Sequence, residues 1–201
     1  RQMCIRDSIK RIAEVAHEAG AIVVVDNTFA TPILQSPLEL GADLVIHSAT
    51  KFLGGHADAL GGVLCGDAKL VGEVFHYREI NGATLDPHAA YLLLRGLKTL
   101  DLRVRKQTEN AGKLVEYLET HPAISDLFYP GLKNHPNHDI ATEQMKGYGG
   151  IFSFSLIGGM EAVRKVLPRL KYANRAANLG AVETTVGPAT VSYTHLRAHE
   201  T

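Results

Sequence analysis

The 201-residue sequence contains only two cysteines, Cys4 and Cys65, and they lie far apart. This excludes a disulfide framework and makes a reducing, cytoplasmic setting the expectation. An excess of charge is missing too, since 21 basic residues balance 21 acidic ones. Without a basic field, nothing in the chain is suited to hold nucleic acid or an anionic membrane surface. No apolar run approaches the roughly 20 residues needed to span a bilayer. Arg1 to Ser8 lack the apolar segment of a secretory leader. Internal repeats and low-complexity segments are absent. What remains is ordinary globular composition, 45% hydrophobic and 21% charged. The length suits one domain, or one domain plus part of another.

The two ends share an unusual property. Met3-Cys4-Ile5-Arg6-Asp7-Ser8 can be encoded within AGATGTGTATAAGAGACAG, and Val191-Ser192-Tyr193-Thr194-His195-Leu196 within its reverse complement. That inverted repeat matches the end sequence of a transposase used to make sequencing libraries. The expectation is that residues 1–8 and 191–201 are translated adapter and that 9–190 is a native internal fragment. Cys4, His195, Arg197 and His199 are accordingly assigned no function.

Along 9–190, apolar residues at Ile9, Ile12, Ala13, Val15 and Ala16 have helical spacing, and Gly20 suits a C-cap. Ala21 to Val25, Asp43 to His47 and Gly61 to Cys65 are short apolar runs that suit strands buried on both faces, as in a parallel sheet. Helices are predicted over Ala68 to Arg78, from Pro87 to about Leu97, and over Asp101 to Thr120 with Leu102, Val104, Leu114, Val115 and Leu118 as its apolar residues. A strand at Ile124 to Tyr129, a short helix at Ile140 to Met145, an antiparallel type of strand at Ile151 to Leu156 and a helix at Met160 to Leu167 follow. The pattern predicts an α/β domain joined to a smaller α+β one, with the long helix as the junction. The boundaries are 9–111 and 112–190.

The chemistry concentrates in Asp26-Asn27-Thr28 and in Ser48-Ala49-Thr50-Lys51-Phe52-Leu53-Gly54-Gly55-His56. Both segments leave predicted buried strands at their carboxyl ends, where open parallel sheets bind ligands, so Asp26 and Lys51 are expected to face one pocket. A lysine amine can form a Schiff base with an aldehyde cofactor. Pyridoxal phosphate needs an anion at its ring nitrogen as well as hydroxyl and N–H donors for its phosphate. Asp26 could supply the first, and Ser48 and Thr50 two of the second. Taken singly, each residue has a blander reading: a turn aspartate, a solvated lysine, a loop serine. Lys51 precedes the glycines, so the segment is not a Walker A loop.

As a whole, Val25 to Pro32 and His47 to His56 closely resemble the Cys/Met-metabolism family of pyridoxal phosphate enzymes. The resemblance continues through Gly82-Ala83-Thr84-Leu85-Asp86-Pro87, Leu94-Arg95-Gly96-Leu97-Lys98-Thr99-Leu100, Tyr129-Pro130-Gly131-Leu132, His135-Pro136, Gly149-Gly150-Ile151-Phe152-Ser153-Phe154 and Leu179-Gly180-Ala181-Val182-Glu183. It implies a fold-type-I pyridoxal-phosphate-dependent transferase, here an incomplete parallel-rich sheet with helices on both faces plus part of a smaller α+β C-terminal domain. It also implies Lys51 as Schiff-base lysine and general acid/base, Asp26 as partner of the pyridine nitrogen, and Ser48 and Thr50 as phosphate ligands. The implied reaction is γ-replacement or γ-elimination on a sulfur amino acid or an O-acylhomoserine, by a homo-oligomer built as a dimer of dimers. Sulfhydrylase, methionine γ-lyase and β-lyase chemistry stay open, as does a non-catalytic scaffold. Asn178 stands where the family commonly has serine near the lysine and the substrate carboxylate.

Among the remaining candidates, His135 and His138 are expected in a surface loop rather than a metal pair. His47 is expected to be a satisfied core histidine, and Cys65 a buried small hydrophobe. His56 is left unassigned, and Arg95, Arg103 and Arg105 are read as structural or interface residues.

Overall fold

The computed structural model describes residues 7–188. Most of the adapter assignment, including Cys4 and all of 191–201, therefore lies outside the described residues. Helix α1 (Ile9–Glu18) begins where Ser8 Oγ accepts from Arg11 N at 3.3 Å, a side-chain N-cap. Its apolar stripe places Ile9 and Ala13 against Val23, Ala42 and Val45.

Strand β1 (Val24–Asp26) runs parallel to β2 (Leu44–Ser48), with Asp26 opposite Ile46. Between them lie a short α2 (Thr31–Leu34) and a 3-10 turn at Pro37–Leu40. Strand β3 (Gly62–Gly66) pairs with the other edge of β2, placing Ser48 opposite Gly62. This pairing is antiparallel, so the sheet is mixed rather than wholly parallel. A parallel return needs a crossover carrying a covering element, and β2 and β3 are joined only by a π-helical turn and a loop.

Burial on both faces is also corrected. Val24 and Ile46 on one face, and Val63 and Cys65 on the other, are exposed. The reason is coverage: α1 packs on Val23, Val25 and Val45 and leaves the β3 side of its face open. Cys65 is thus an exposed residue rather than a buried hydrophobe.

Helix α3 (Ala68–Asn81) is capped by Asp67, whose Oδ1 accepts from Lys69 N at 2.9 Å and Leu70 N at 3.1 Å. Helix α4 (Pro87–Leu97) starts at an Asp86 cap with proline in the first turn. The long α5 (Leu100–Glu119) buries Leu100, Val104, Ala111 and Val115, while Leu102 and Leu114 point outward. The true stripe follows steps of four and seven, so two of the apolar residues counted from sequence belong to the wrong face. The main core joins Leu93, Leu100 and Val104 to Ala49, Phe52 and Leu53, the residues flanking Lys51.

Strand β4 (Ile124–Phe128) pairs antiparallel with β5 (Ser153–Leu156), as the alternation predicts. Helices α6 (His138–Gln144) and α7 (Gly159–Val166) fall near their predicted places. A second parallel pair, β6 (Ala173–Arg175) with β7 (Thr184–Val186), has no sequence signal, because three residues are too few to show a period.

Candidate cofactor site

The two chemistry-bearing segments meet at the carboxyl ends of β1 and β2. Thr28 Oγ1 accepts from Ser48 N at 2.8 Å, tying the residues after β1 to the last residue of β2. Asp26 Oδ1 accepts from Thr28 N at 2.9 Å, an Asx-type turn that leaves its other oxygen without a partner among the described residues. Asn27 is buried, and its side chain is fully used. Nδ2 donates to Thr31 O at 3.1 Å and Gln35 O at 3.0 Å, and Oδ1 accepts from Gln35 Nε2 at 2.9 Å. Thr31 sits at φ 64°, in the left-handed region that a β-branched residue seldom occupies. Its buried backbone hydrogen bond to Asn27 O, at 2.9 Å, helps hold it there.

The turn Ala49–Leu53 is π-helical, and Lys51 breaks its regularity at φ −92° and ψ −119°. Thr50 anchors the turn to the entry of β3. Its N donates to Gly61 O at 3.3 Å, its Oγ1 accepts from Gly61 N at 3.1 Å, and its hydroxyl donates to Gly61 O at 3.4 Å. By contrast, neither Lys51 Nζ nor Ser48 Oγ has a hydrogen-bond partner among the described residues. Lys51 is half-buried and Asp26 exposed.

A cavity of about 330 Å³ borders Asp26, with Val24, Asn27, Phe29 and Ile12 among its lining. Lys51, Ser48 and Thr50 do not line it. The cavity lies on the α1 side of β1, so it is not the common pocket expected for Asp26 and Lys51. The Thr28–Ser48 hydrogen bond links the segment after Asp26 to the one that leads into Lys51.

From the far end of the chain, Gly180 presses on the turn. At φ +86°, its missing Cβ would stand 2.5 Å from Phe52 N and 2.7 Å from Lys51 C. Gln107 Nε2 donates to Ala181 O at 2.9 Å and holds this segment to α5. Asn178 is exposed, and its carbonyl accepts from Thr185 Oγ1 at 3.0 Å.

His47 is buried, but its Nδ1 has no partner among the described residues, so it is not the satisfied core histidine expected. Its cross-strand neighbour, Val63, offers no side-chain acceptor. Burial holds its pKa below the usual imidazole value, and the Asp26 charge pulls the other way. His138 Nδ1 is 2.8 Å from Pro130 O, and among the described residues no cluster of metal-ligating side chains forms around it or His135. His56 Nδ1 is 2.8 Å from Gly54 O. The structural reading of Arg103 holds: its guanidinium binds backbone carbonyls. Gly180, Gln107 and Thr28 were missed as site residues. Thr28 and Gly180 carry a sequence signal, since both lie in runs that resemble the family, whereas Gln107 carries none.

The residues fit pyridoxal phosphate. An uncommitted amine, an uncommitted hydroxyl and a carboxylate with a free oxygen stand at the carboxyl ends of a parallel strand pair. Fold and site together define the fold-type-I class of pyridoxal phosphate proteins. The chain belongs to the Cys/Met metabolism PLP-dependent enzyme family, whose profile it matches over residues 2–201. It is 46% identical over 193 residues to "Cystathionine gamma-synthase 1, chloroplastic" of Arabidopsis thaliana, covering 96% of this chain and 34% of that protein. It is 46% identical over 184 residues to the cystathionine gamma-lyase of Bacillus subtilis, covering 90% and 48%. The cystathionine gamma synthase of Xanthomonas oryzae pv. oryzae, solved with aminoacrylate and cysteine, superposes with a TM-score of 0.90 at 43% identity, over 94% of this chain and 49% of that one. The chain therefore spans a third to a half of these relatives.

Proposed function

We propose that the protein carrying this sequence is a pyridoxal-phosphate-dependent enzyme of γ-replacement or γ-elimination, acting on a sulfur amino acid or an O-acylhomoserine. The observation that carries the reading is Lys51. It sits on an irregular turn directly after β2 with its amine uncommitted among the described residues, and the Thr28–Ser48 bond ties it to the Asp26 end of β1. Lys51 would hold the cofactor through Nζ. Asp26 would keep the ring nitrogen protonated, and Ser48 Oγ would donate to the phosphate. Thr50 would do the same by exchanging its long bond to Gly61 O. Bound, the cofactor supplies an electron-withdrawing ring that stabilises negative charge at the substrate Cα. Once displaced by the substrate amine, Lys51 Nζ would take the Cα proton and move protons at Cβ as the γ group leaves. Asn178 would stand toward the substrate carboxylate.

Sulfhydrylase, methionine γ-lyase and cystathionine β-lyase chemistry remain alternatives of the same class. Curated relatives include a β-lyase of Coxiella burnetii at 46% identity and a methionine γ-lyase of Fusobacterium nucleatum subsp. polymorphum at 41%. We take residues 9–111 as part of the cofactor domain and 112–190 as part of the C-terminal one. The reading includes a cytoplasmic homo-oligomer built as a dimer of dimers, which the exposed Phe75, Tyr77, Ile80, Tyr91 and Leu94 support. Because the chain spans half or less of these relatives, the isolated 201 residues are expected to be inactive.

The test is borohydride reduction of the full-length protein in the presence of pyridoxal phosphate, followed by peptide mapping. The label is expected on Lys51 and is abolished in Lys51→Ala with the fold retained by circular dichroism. Label distributed over surface lysines, or unchanged in the variant, would favour a non-catalytic scaffold.

A further inference from the structure

The Lys51 turn is held only in part by its own hydrogen bonds, Gly54 N to Ala49 O and Gly55 N to Lys51 O, both at 2.8 Å. Its dihedral angles at Lys51 are neither helical nor those of an ordinary strand. Thr50 ties down its amino side through Gly61. Its carboxyl side ends in carbonyls that no regular element satisfies, and there Arg103 of α5 reaches in. Nη1 donates to Phe52 O at 2.8 Å, and Nη2 donates to Leu53 O at 3.3 Å and to Gly96 O at 2.8 Å. Nε donates to Thr99 Oγ1 at 3.1 Å, so the fork is fixed at its base as well.

Three features set this apart from an ordinary structural arginine. First, among the described residues the guanidinium faces no carboxylate, and its charge is met by backbone carbonyls of the turn and of the last part of α4. Second, the glycines around it are shaped to admit it. A Cβ on Gly55, which sits at φ +75°, would overlap the guanidinium itself. A Cβ on Gly96 would overlap Gly54 O, so α4 and the turn touch backbone to backbone. Third, one of the two carbonyls bound at 2.8 Å belongs to Phe52, which follows Lys51 directly. The peptide joining them is the one against which Gly180 packs. A lysine at position 103 would keep the charge but could not bridge three carbonyls with one planar fork.

We propose that Arg103 is the positioning residue of Lys51, fixing the turn so that the Lys51 amine is presented to an aldehyde cofactor. The proposal rests on the reading that Lys51 carries that cofactor. Arg103 touches neither cofactor nor substrate. It acts by pinning the carbonyls after Lys51, and Gly55 and Gly96 give it room.

The experiment uses the full-length protein as wild type, Arg103→Lys, Arg103→Ala and Lys51→Ala. Each is titrated with pyridoxal phosphate, reduced with borohydride and mapped, and the visible absorbance of the unreduced protein is followed against pH. Arg103→Lys is expected to stay folded by circular dichroism and to need about tenfold or more additional pyridoxal phosphate for half-labelling at position 51, as loss of charge-assisted hydrogen bonds implies. The pH midpoint of its absorbance change is expected to move. Added guanidinium ion is expected to restore labelling of Arg103→Ala. Arg103→Lys labelling like wild type with an unchanged pH midpoint would overturn the proposal. So would loss of fold in Arg103→Lys, which would make Arg103 a merely structural residue, or a folded Arg103→Ala that guanidinium does not rescue. Absence of label at Lys51 in the wild type would instead overturn the reading of Lys51.

Discussion

The Lys51 turn and helix α3 are near neighbours in sequence, yet they owe their shapes to opposite causes. Helix α3 is specified locally. Asp67 caps its first turn, Gly82 at φ +67° takes the left-handed position after its last, and none of its residues is buried. The Lys51 turn has no such signals. Beyond two backbone bonds of its own, its form comes from Gly61, Arg103, Gly96 and Gly180, which reach it from four other parts of the chain. A capped helix takes its start and stop from its own sequence, whereas an irregular turn needs a surrounding that over-determines it.

The contrast can be broken most sharply at Gly96. Gly96→Ala drives a methyl group into the backbone of Gly54, which cannot give way as a side chain would. The cost should be about 3 kcal/mol or more, at the top of the range for overpacking, read as a lowered urea midpoint with unchanged slope. A smaller effect is expected from Asp67→Ala. It removes only the two cap bonds of α3 and should cost about 1 kcal/mol while leaving pyridoxal phosphate labelling of Lys51 untouched. If Asp67→Ala weakened labelling as much as Gly96→Ala, the division between local and tertiary control would fail.

The smallest effect is a pH dependence at His47. Its folded pKa lies below the ordinary value because it is buried. As pH falls through about 6.5, the unfolded chain takes up a proton that the folded one refuses, so stability is lost on acidification until the folded pKa is reached. In His47→Gln, unfolding followed between about pH 7 and pH 5 should show a shallower loss than in the wild type. An equal slope would mean that His47 is protonated as readily in the fold as outside it.

How much could be read in advance follows the same division. Asp26, Ser48, Thr50 and Lys51 stand out in the sequence because each lies within a short run whose residue types fit one cofactor, and the structure places them at the carboxyl ends of β1 and β2. Helix α1 is legible from its spacing and Gly20, and α4 from the proline in its first turn. The antiparallel course of β3 was not, because direction depends on what fills the connection rather than on the strand itself. Nor was the exposure of Cys65, which depends on where α1 stops covering the sheet. Arg103 reads from the sequence only as a structural or interface residue, with nothing to single it out from Arg95 and Arg105 until the carbonyls of Phe52 and Leu53 are placed beside it.

The Arg103–Phe52 bond spans 51 positions of sequence, and the Gln107–Ala181 bond spans 74. Contacts of such separation pay loop-closure entropy before they return any stabilisation, so they form late when a chain folds. The lysine turn should therefore be among the last parts to become ordered after dilution from denaturant. In native-state hydrogen exchange, the Phe52 and Gly55 amides should open together with the Gly180 segment as one cooperative unit. Helix α3, whose capped turns need no distant partner, should reach its final form well before the site is complete.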